Sequence, residues 1–551
     1  MSQHWLMAVI LLPLATAGLL LLPGERHRAA KGWLNLASCL AGLALAAALL
    51  HHAAGGTPEV YLAGNWAAPF GIVLVLDRLS ALMITLVAVL ACATLLFAMA
   101  RWTRAGANFH ALFQVQLMGL YGAFLTGDLF NLFVFFEVML AASYGLVLHG
   151  SGRARVVSGL HYLAINLVAS SLFLIGAALI YGVTGTLNMA DIALKVPQVA
   201  VADLGLLHTG AAILAIAFLA KAGMWPLNAW LVPAYSAASP PVAALFAVLT
   251  KVGFYTLLRL WLLVFPASAG ASAQFGEQWL LYGGLATLAC ATLGLLATRR
   301  LERIASLNIL VSAGTLLASV GLGTPALVSA ALFYLVSSTL ALAALFLLAE
   351  LIERSRSANE LPLEEDADIL PGSVGALRPP PGVNLDDEQR VIVGRVIPWT
   401  MAFLGMSLIF CALWVIGMPP FSGFLAKLNL IAAVLDPAGV GQGGHSPSPP
   451  GWVFIALLLL AGVASLIGLA RVAILRLWAP VERPSPALRP YECLAISALF
   501  GICIALTLRG EVLLRYTTAA ASDLYNPPRY IGPVMAKQPS AGPRALLQEA
   551  P

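Results

Sequence analysis

Long apolar runs separated by short polar connections fill the chain from Trp5 to Leu508. A membrane-spanning helix needs about 20 mostly apolar residues. Segments of that kind recur at residues 5–23, 32–51, 73–99, 109–126, 128–149, 158–182, 207–232, 240–265, 278–298, 303–323, 326–352, 397–435, 451–477 and 490–508. The pattern predicts an all-α integral membrane protein with about 14 transmembrane helices.

The composition of the chain also indicates that lipid surrounds most of it. Hydrophobic residues make up 60% of the chain and charged residues 10%, whereas a soluble domain carries about 25% charged residues. So few charges could not cover a water-facing surface. The net charge of +5 does not indicate nucleic-acid binding, because the basic residues lie in short loops and form no patch.

Successive connections between the apolar segments alternate between two sides, and arginine and lysine are concentrated on one of them. These basic loops contain Arg26, Arg28 and Lys31; Arg101 and Arg104; Arg153 and Arg155; Arg299, Arg300 and Arg303; Arg354, Arg356, Arg378, Arg390 and Arg395; and Arg471, Arg476, Arg483 and Arg489. The other loops contain little beyond Lys195. Since cytoplasmic loops carry the excess of positive charge, we expect a multi-pass protein of a bacterial inner membrane with both termini on the periplasmic side.

Four charged residues stand out inside the apolar segments: Glu137, Lys221, Lys251 and Lys427. A charge at the bilayer centre costs about 2.5–3.5 kcal/mol even on the most lenient scale. At about 1.5 Å per residue, Glu137 and Lys251 lie roughly 14 and 17 Å into their helices, near the middle of a core about 30 Å thick. Such residues mark ion and proton pathways.

Prolines interrupt the two segments that contain Lys221 and Lys427. They are Pro226 and Pro233 in the seventh segment and Pro419 and Pro420 in the twelfth. Proline donates no backbone hydrogen bond, so carbonyls freed at membrane depth must line a wet cavity or find another partner. A charge beside a broken helix is typical of ion pathways in transporters.

The two interrupted segments are five positions apart, and an odd offset reverses direction across the membrane. Segments 4–8 and 9–13 are therefore predicted to be inverted repeats. The predicted division is 1–108 for the first three helices, 109–265 for the first repeat, 266–477 for the second repeat with a cytoplasmic loop at 353–396, and 478–551 for helix 14 and a C-terminal tail. The loop lacks the apolar content for a folded domain.

The four buried charges predict proton transfer. Burial disfavours the charged form of a lysine and a nearby carboxylate favours it. Glu137 is the only acid well inside a predicted helix, so we expect it to be the partner of Lys221. A proton that moves onto one lysine would change the neighbouring pair, and a chain of such sites can pass protons. A purely structural pair that locks helices together is the alternative.

Other polar residues lie nearer the helix ends. Asp77 and Asp128 lie at helix starts, where an acid also suits the helix dipole. Arg259 lies about two turns beyond Lys251 and is predicted to extend towards the outer surface. His161 and His208 could join the relay, although ordinary polar contacts are expected for both.

No metal site or organic cofactor is expected. The cysteines form no C-x-x-C pair, and no H-E-x-x-H motif, P-loop or dinucleotide-binding fingerprint occurs in a convincing context.

These motifs resemble the antiporter-type family that respiratory complex I shares with the Mrp cation/proton antiporters. The resemblance covers nearly the whole chain and rests on four stretches. They are GDLFNLFVFFEVMLAASYGLV with Glu137, HYLAINLVASSLFLIGAALIYGVTGTLNMADIA, FLAKAGMWPLNAWLVPAYSAASPPVAALFAVLTKVGFYTLLR with Lys221 and Lys251, and GMPPFSGFLAKLNLI with Lys427.

Within that family the chain is similar to the D-type subunits of the Mrp branch. Three features support this: the late Lys427, the stretch LNILVSAGTLLASVGLG, and the end after fourteen helices. The resemblance implies a proton-translocating subunit of a complex that exchanges Na⁺ or K⁺ for protons. It also implies membrane partners, namely one large A-type subunit and several small subunits.

The chain departs from the family pattern in the eleventh helix. Many relatives have a histidine or lysine there, whereas this stretch reads LFYLVSSTLALAALFLLAEL, with Ser337 and Ser338 and no titratable group mid-helix. Water held by these serines, or another route, would have to carry protons past this helix. Two further functions stay open: the proton-pumping subunit of a redox-driven complex, such as complex I or a membrane hydrogenase, and a scaffold without a working relay.

Overall fold

The computed structural model describes residues 4–22, 24, 27–354, 398–436, 447–478 and 487–539. Its helices are α1 (Trp5–Leu21), α2 (Arg28–Ala53), α3 (Arg78–Ala100), α4 (Phe109–Leu125), α5 (Leu129–Val147), α6 (Arg153–Thr184), α7 (Met189–Lys195), α8 (Leu204–Ala222), α9 (Leu231–Ala237), α10 (Pro240–Phe246), α11 (Leu249–Val264), α12 (Glu277–Ala297), α13 (Leu301–Gly321), α14 (Pro325–Glu353), α15 (Trp399–Ile416), α16 (Ser422–Leu435), α17 (Pro449–Ala473), α18 (Pro490–Leu508), α19 (Gly510–Leu524) and α20 (Pro527–Ala536). One hairpin joins strands β1 (Glu59–Leu62) and β2 (Val73–Leu76). Apart from its first two residues, the predicted loop 353–396 lies outside the described residues.

The helices confirm the predicted membrane architecture. Within the described ranges, 12 spans are long and apolar enough to cross a membrane. The shorter apolar helices α1 and α4 have 17 residues each, and each falls on a predicted segment. The fourteen predicted segments therefore correspond to helices, with α8–α9 and α15–α16 as the two interrupted ones.

Successive connections meet at opposite ends of the helix bundle, as the alternation of basic loops predicts. At one end Arg28 donates to the Arg104 carbonyl at 3.4 Å. At the other end Trp5 donates to Glu59, in the β-hairpin, at 3.1 Å. We call these the arginine end and the hairpin end. Helix α1 begins and α20 packs at the hairpin end, so both ends of the described chain lie on one side of the bundle.

The most buried helices form the centre of the bundle. Within their apolar windows, α10–α11 are 100% buried, α14 is 94% buried and α13 is 89% buried, compared with 28% for α18. Lys251 lies on α11, and the two adjacent serines of the eleventh segment lie on α14. The fold thus places the unusual polar residues where neither lipid nor bulk water reaches.

A short hairpin departs from the all-helical prediction. The third predicted segment begins at residue 73, but Val73–Leu76 form strand β2, which pairs antiparallel with β1. The helix begins only after Asp77, whose carboxylate accepts a hydrogen bond from the Ser80 backbone at 2.9 Å. An apolar run does not distinguish a buried strand from the start of a helix, so the pattern merged the two elements.

The predicted C-terminal tail contains two further helices, α19 and α20. Helix α19 buries Thr517, Ala520, Ala521 and Leu524, the i, i+3, i+4, i+7 spacing of an amphipathic helix. It packs on α14 and α3 at the hairpin end. Hydropathy alone missed it because its outer face is charged.

Both interrupted segments break after a glycine in the left-handed region. Gly223 follows α8 with φ 79° and Gly417 follows α15 with φ 80°. A side chain is strained in this conformation. The prediction that Pro233 also breaks the seventh segment is wrong, because Pro233 lies in the first turn of α9, where proline is tolerated.

The same type of backbone hydrogen bond closes the helix end at both breaks. The Met224 backbone donates to the Leu219 carbonyl at 3.0 Å, and Met418 donates to Leu413 at 2.9 Å. Each bond runs from the second residue after the helix to a carbonyl in its last turn, as in a Schellman motif. The sequence Gly-Met-x-Pro is common to both breaks. This similarity supports the inverted repeat, which stays a prediction.

Candidate functional site

Lys251 is the most enclosed of the four predicted relay residues. Its side chain has an exposed fraction of 0%, and its Nζ donates to Ser312 Oγ on α13 at 2.8 Å. Sequence reasoning did not name Ser312. The structure therefore places a lysine of the first predicted repeat in direct contact with a hydroxyl of the second.

Ser312 continues the polar contact to α14. Its hydroxyl lies 3.1 Å from Ser338 Oγ, and the Tyr334 side chain interacts with it as well. Ser338 is one of the two serines at the point where the family pattern has a titratable residue. In this chain, Lys251, Ser312 and Ser338 form a hydrogen-bonded series across the most buried part of the bundle.

A small cavity adjoins this series and reaches Lys427. Its volume of about 20 Å³ is enough for one water molecule, which needs at least about 10–15 Å³. The polar side chains that line it are Asn308, Tyr334, Ser337, Ser338, Trp414, Lys427 and Ser465. We call it the central cavity. Ser338 and Lys427 both line it, so the cavity joins the two.

Lys427 satisfies a carbonyl freed by the break between α15 and α16. Its Nζ donates to the Ile416 carbonyl at 2.6 Å. The lysine stem crosses Gly417, where an added Cβ would lie 2.7 Å from Lys427 Cδ. Of the two alternatives predicted for a freed carbonyl, a wet cavity or another partner, the Ile416 carbonyl shows the second, and its partner is the buried lysine itself.

Ser337 faces a different set of groups from its neighbour. It accepts a hydrogen bond from Trp414 Nε1 at 3.0 Å and lies 3.0 Å from Ser422 Oγ. Ser422 begins α16. Ser337 therefore ties α14 to both halves of the interrupted segment, while Ser338 faces Ser312.

Lys221 and Glu137 lie near each other without a direct ion pair. Lys221 is in the last turn of α8, where free carbonyls favour a cation, and its Nζ lies 5.1 Å from the centre of the Phe136 ring. The Glu137 carboxylate acts on it electrostatically. Glu137 Oε1 is buried and has no hydrogen-bond partner among the described residues.

Unpaired hydroxyls occur along the chain between Lys221 and Lys251. They belong to Tyr235, Ser239 and Thr250, and each is buried without a hydrogen-bond partner in the described chain. Buried polar atoms in proteins normally have a partner, which is often water. No hydrogen bond between described residues joins the two lysines, so this step differs from the serine-bridged step beyond Lys251.

Three other candidates lie away from the lysines. Asp128 accepts the Asn131 backbone N–H at 2.9 Å and caps α5, as its place at a helix start predicts. His161 is exposed on α6 and bonds to the Val157 carbonyl of its own helix at 3.1 Å. His208 lies 2.9 Å from Ser272 Oγ at the hairpin end, an ordinary polar contact.

Arg259 does not extend to the surface, and that prediction is wrong. Its exposed fraction is 5%. Its Nη1 and Nη2 donate to Asp77 Oδ2 and Oδ1 at 2.5 and 2.7 Å. Asp77 is also buried, so the guanidinium gains more from this two-pronged contact than from reaching the interface. The partner is 182 residues away in sequence, which no local pattern could reveal.

Sequence reasoning also missed polar residues of the tenth segment. Asn308, Ser312, Thr315 and Ser319 are all buried on α13. Their spacings of 4, 3 and 4 residues put them on one helix face. A polar stripe of this kind within an apolar segment was the signal that could have located Ser312.

The fold and the buried charges together define the class of membrane protein. Fourteen membrane segments among the described residues, two of them interrupted beside a buried lysine, are the architecture of an ion-translocating membrane protein. The family model described as NADH:quinone oxidoreductase/Mrp antiporter, transmembrane, matches residues 126–439. The chain belongs to this family, and within it to the D-type subunits of Mrp antiporters.

Curated relatives support this assignment over nearly the whole chain. The D-type subunit of a probable K⁺/H⁺ antiporter of Rhizobium meliloti (strain 1021) is 51% identical, with 95% of this chain and 96% of the relative covered. The D-type subunit of a Na⁺/H⁺ antiporter of Alkalihalophilus pseudofirmus is 31% identical, with 96% and 98% covered. The chain is thus similar to these D-type subunits over nearly their full length.

Solved structures agree on the fold. A chain of the Mrp complex from Dietzia sp. DQ12-45-1b superimposes with a TM-score of 0.77 at 25% identity, covering 97% of this chain and all of that chain. A chain of respiratory complex I from Thermus thermophilus gives 0.73 at 19% identity, with 97% and 100% covered. The second match shows only that complex I shares the fold.

Proposed function

We propose that this subunit conducts protons within a multisubunit antiporter that exchanges Na⁺ or K⁺ for H⁺. The proposed path runs through Glu137, Lys221, Lys251, Ser312, Ser338 and Lys427, and we call these residues the relay. The observation that carries the proposal is the hydrogen-bonded series Lys251–Ser312–Ser338, which leads to the cavity that Lys427 lines. No cofactor is required.

The two halves of the relay work differently in this proposal. From Lys251 onwards, a proton passes through two serine hydroxyls, each able to donate and accept, and then over a water in the central cavity to Lys427. Between Lys221 and Lys251, water bound at the unpaired hydroxyls makes the connection. Glu137 stabilises the charged form of Lys221 and so sets when that lysine releases its proton.

The names of the relatives support an antiporter rather than a redox pump. The relative at 51% identity is named as part of a K⁺/H⁺ antiporter, and the N-type subunit of an NADH-quinone oxidoreductase of Desulforudis audaxviator is 31% identical over 79% of this chain. We therefore place the protein beside a large A-type subunit and several small membrane subunits. Its membrane is the bacterial inner membrane, with the hairpin end on the outside.

Methionine in place of Lys221 tests the function directly. In everted vesicles that contain the whole complex, we expect wild type to exchange protons for K⁺ or Na⁺ and Lys221→Met to lose this exchange. Lys195→Met is the matched control, because Lys195 is a partly exposed lysine paired with Asp191 at the hairpin end. Retained exchange in an assembled Lys221→Met complex would exclude Lys221 from the path. No exchange in wild type with either cation would favour the redox-driven alternative.

Ser312→Ala tests the serine bridge. Without this hydroxyl, Lys251 and Ser338 lose their common partner. An unmade buried hydrogen bond costs about 1–3 kcal/mol, so the exchange rate should fall roughly ten- to hundredfold. Ser319→Ala removes a buried hydroxyl of the same helix, bonded to the Thr315 carbonyl, and should leave the rate unchanged. Equal rates for both variants would show that the proton bypasses Ser312.

A further inference from the structure

A second buried charge cluster lies at the hairpin end, outside the relay. Asp77 and Arg259 are exposed by only 8% and 5% and share two hydrogen bonds of 2.5 and 2.7 Å. Asp77 Oδ1 also accepts the Ser80 backbone N–H at 2.9 Å. Both carboxylate oxygens are therefore occupied by strong donors.

Arg259, the basic member of the pair, lies on the same face of α11 as Lys251. Lys251, Tyr255 and Arg259 follow one another at intervals of four residues on α11, so their side chains lie in one row. Arg259 Nη2 lies 3.5 Å from the Tyr255 hydroxyl, which donates to the Phe124 carbonyl at 2.7 Å. The row leads from the relay towards the hairpin-end surface, and Arg259 lies about 12 Å along α11 from Lys251 at 1.5 Å per residue.

The C-terminal helices cover the pair from the hairpin end. The Tyr530 ring of α20 lies 5.0 Å from the Arg259 guanidinium carbon. Next to it, Asp523 of α19 pairs with Arg78 at 2.5 Å. A cavity of about 20 Å³ lies among these groups. It is lined by Asp77, Arg78, Arg259, Asp523 and Tyr530. The cavity is large enough for one water molecule beside the pair.

The chemistry of the pair prevents it from passing a proton. An arginine side chain does not release its proton in proteins, so Arg259 cannot act as a relay group. The Asp77 carboxylate compensates its positive charge, so the pair has no net charge that would draw a proton in from the cavity. Asp77 cannot accept a proton without losing the guanidinium, since both of its oxygens are engaged.

We propose that the Asp77–Arg259 pair is a barrier that isolates Lys251 from the hairpin-end surface. This inference rests on the proposed function of Lys251. Protons then reach and leave Lys251 only along the membrane plane, through Ser312 and towards Lys221. The barrier keeps exchange coupled to the cation, because the short route along α11 would otherwise leak protons without cation movement.

A leak measurement tests the barrier. The main variant combines Asp77→Asn with Arg259→Met, which removes both charges together and retains an oxygen for the Ser80 backbone. The readout is the rate at which a pH gradient decays across proteoliposomes that contain the whole complex, without Na⁺ or K⁺. We expect the decay to be at least about tenfold faster than in wild type.

Two further variants distinguish a specific barrier to protons from a general loosening of the helix packing. Arg78→Gln with Asp523→Asn removes the neighbouring pair and should leave the leak at the wild-type rate. Lys251→Met, added to the main variant, should remove the leak. If the main variant does not assemble, Asp77→Asn with Arg259→Gln is measured with the same expectation.

The barrier is overturned if an assembled charge-free variant leaks no faster than wild type. It is also overturned if the Arg78–Asp523 variant leaks equally, or if Lys251→Met leaves the leak in place. Cation-dependent exchange in wild type and its loss in Lys221→Met are measured in the same proteoliposomes. A failure of the barrier is thereby distinguished from a failure of the relay.

Discussion

Methionine in place of Lys251 is expected to abolish cation-dependent proton exchange while the complex stays as stable as wild type or becomes more stable. Lys251 is fully buried, and its ammonium group has a single hydrogen bond among the described residues, to Ser312. A charge with so little compensation destabilises a buried site, and methionine fills nearly the same space without one. Exchange should fall to the rate of vesicles that lack the complex.

Two measurements on the same purified complex decide the role of Lys251: the exchange rate after reconstitution and the melting temperature. Lys195→Met is again the control and should match wild type in both. A structural lysine would give the opposite result, a lower melting temperature with exchange in proportion to the surviving complex. Undiminished exchange in the Lys251→Met complex would remove Lys251 from the relay.

Arg259→Met alone is expected to destabilise the complex by about 3–5 kcal/mol, because removal of one partner leaves Asp77 buried without its counter-charge. The double replacement Asp77→Asn with Arg259→Met should recover most of that loss, since a buried pair exchanged for neutral side chains is often neutral in stability. Unfolding of the purified complex, followed by heat or denaturant, gives both values.

Arg78→Met is the comparison for this effect. Arg78 and Asp523 are also paired at 2.5 Å, but their side chains are 13% and 16% exposed, so water compensates part of the loss. We expect a smaller destabilisation than for Arg259→Met. Equal losses for the two arginines would mean that burial of the Asp77–Arg259 pair contributes nothing beyond an ordinary surface contact.

Much of the membrane architecture could be predicted because lipid imposes simple rules. Apolar length located the helices, and the alternation of arginine loops fixed which connections share an end. The interruptions near Pro226 and Pro419 followed from the missing backbone donors. Hydropathy failed where a segment is not a plain membrane helix: strand β2 resembles the apolar start of α3, and α19 is amphipathic.

The polar contacts were harder to predict, because they join residues far apart in the chain. Lys251 could be recognised as unusual from its depth, but its contact with Ser312 depends on how α11 packs on α13. Arg259 illustrates the same limit, since only the fold shows that Asp77 lies within its reach. The proposed measurements test the roles of Lys221, Lys251 and Ser312. The roles of the other relay residues and the inverted repeats remain predictions.

The contact between Lys427 and the Ile416 carbonyl has a mechanical consequence. At this break the backbone provides no continuous ladder between α15 and α16, and a side chain spans the gap at 2.6 Å. This side chain and the Ser337 contacts to Trp414 and Ser422 therefore hold the two half-helices in place of a row of backbone bonds. When the Lys427 amine leaves the carbonyl, the break loses one of these ties, so the stiffness of the twelfth segment depends in part on where a single amine points.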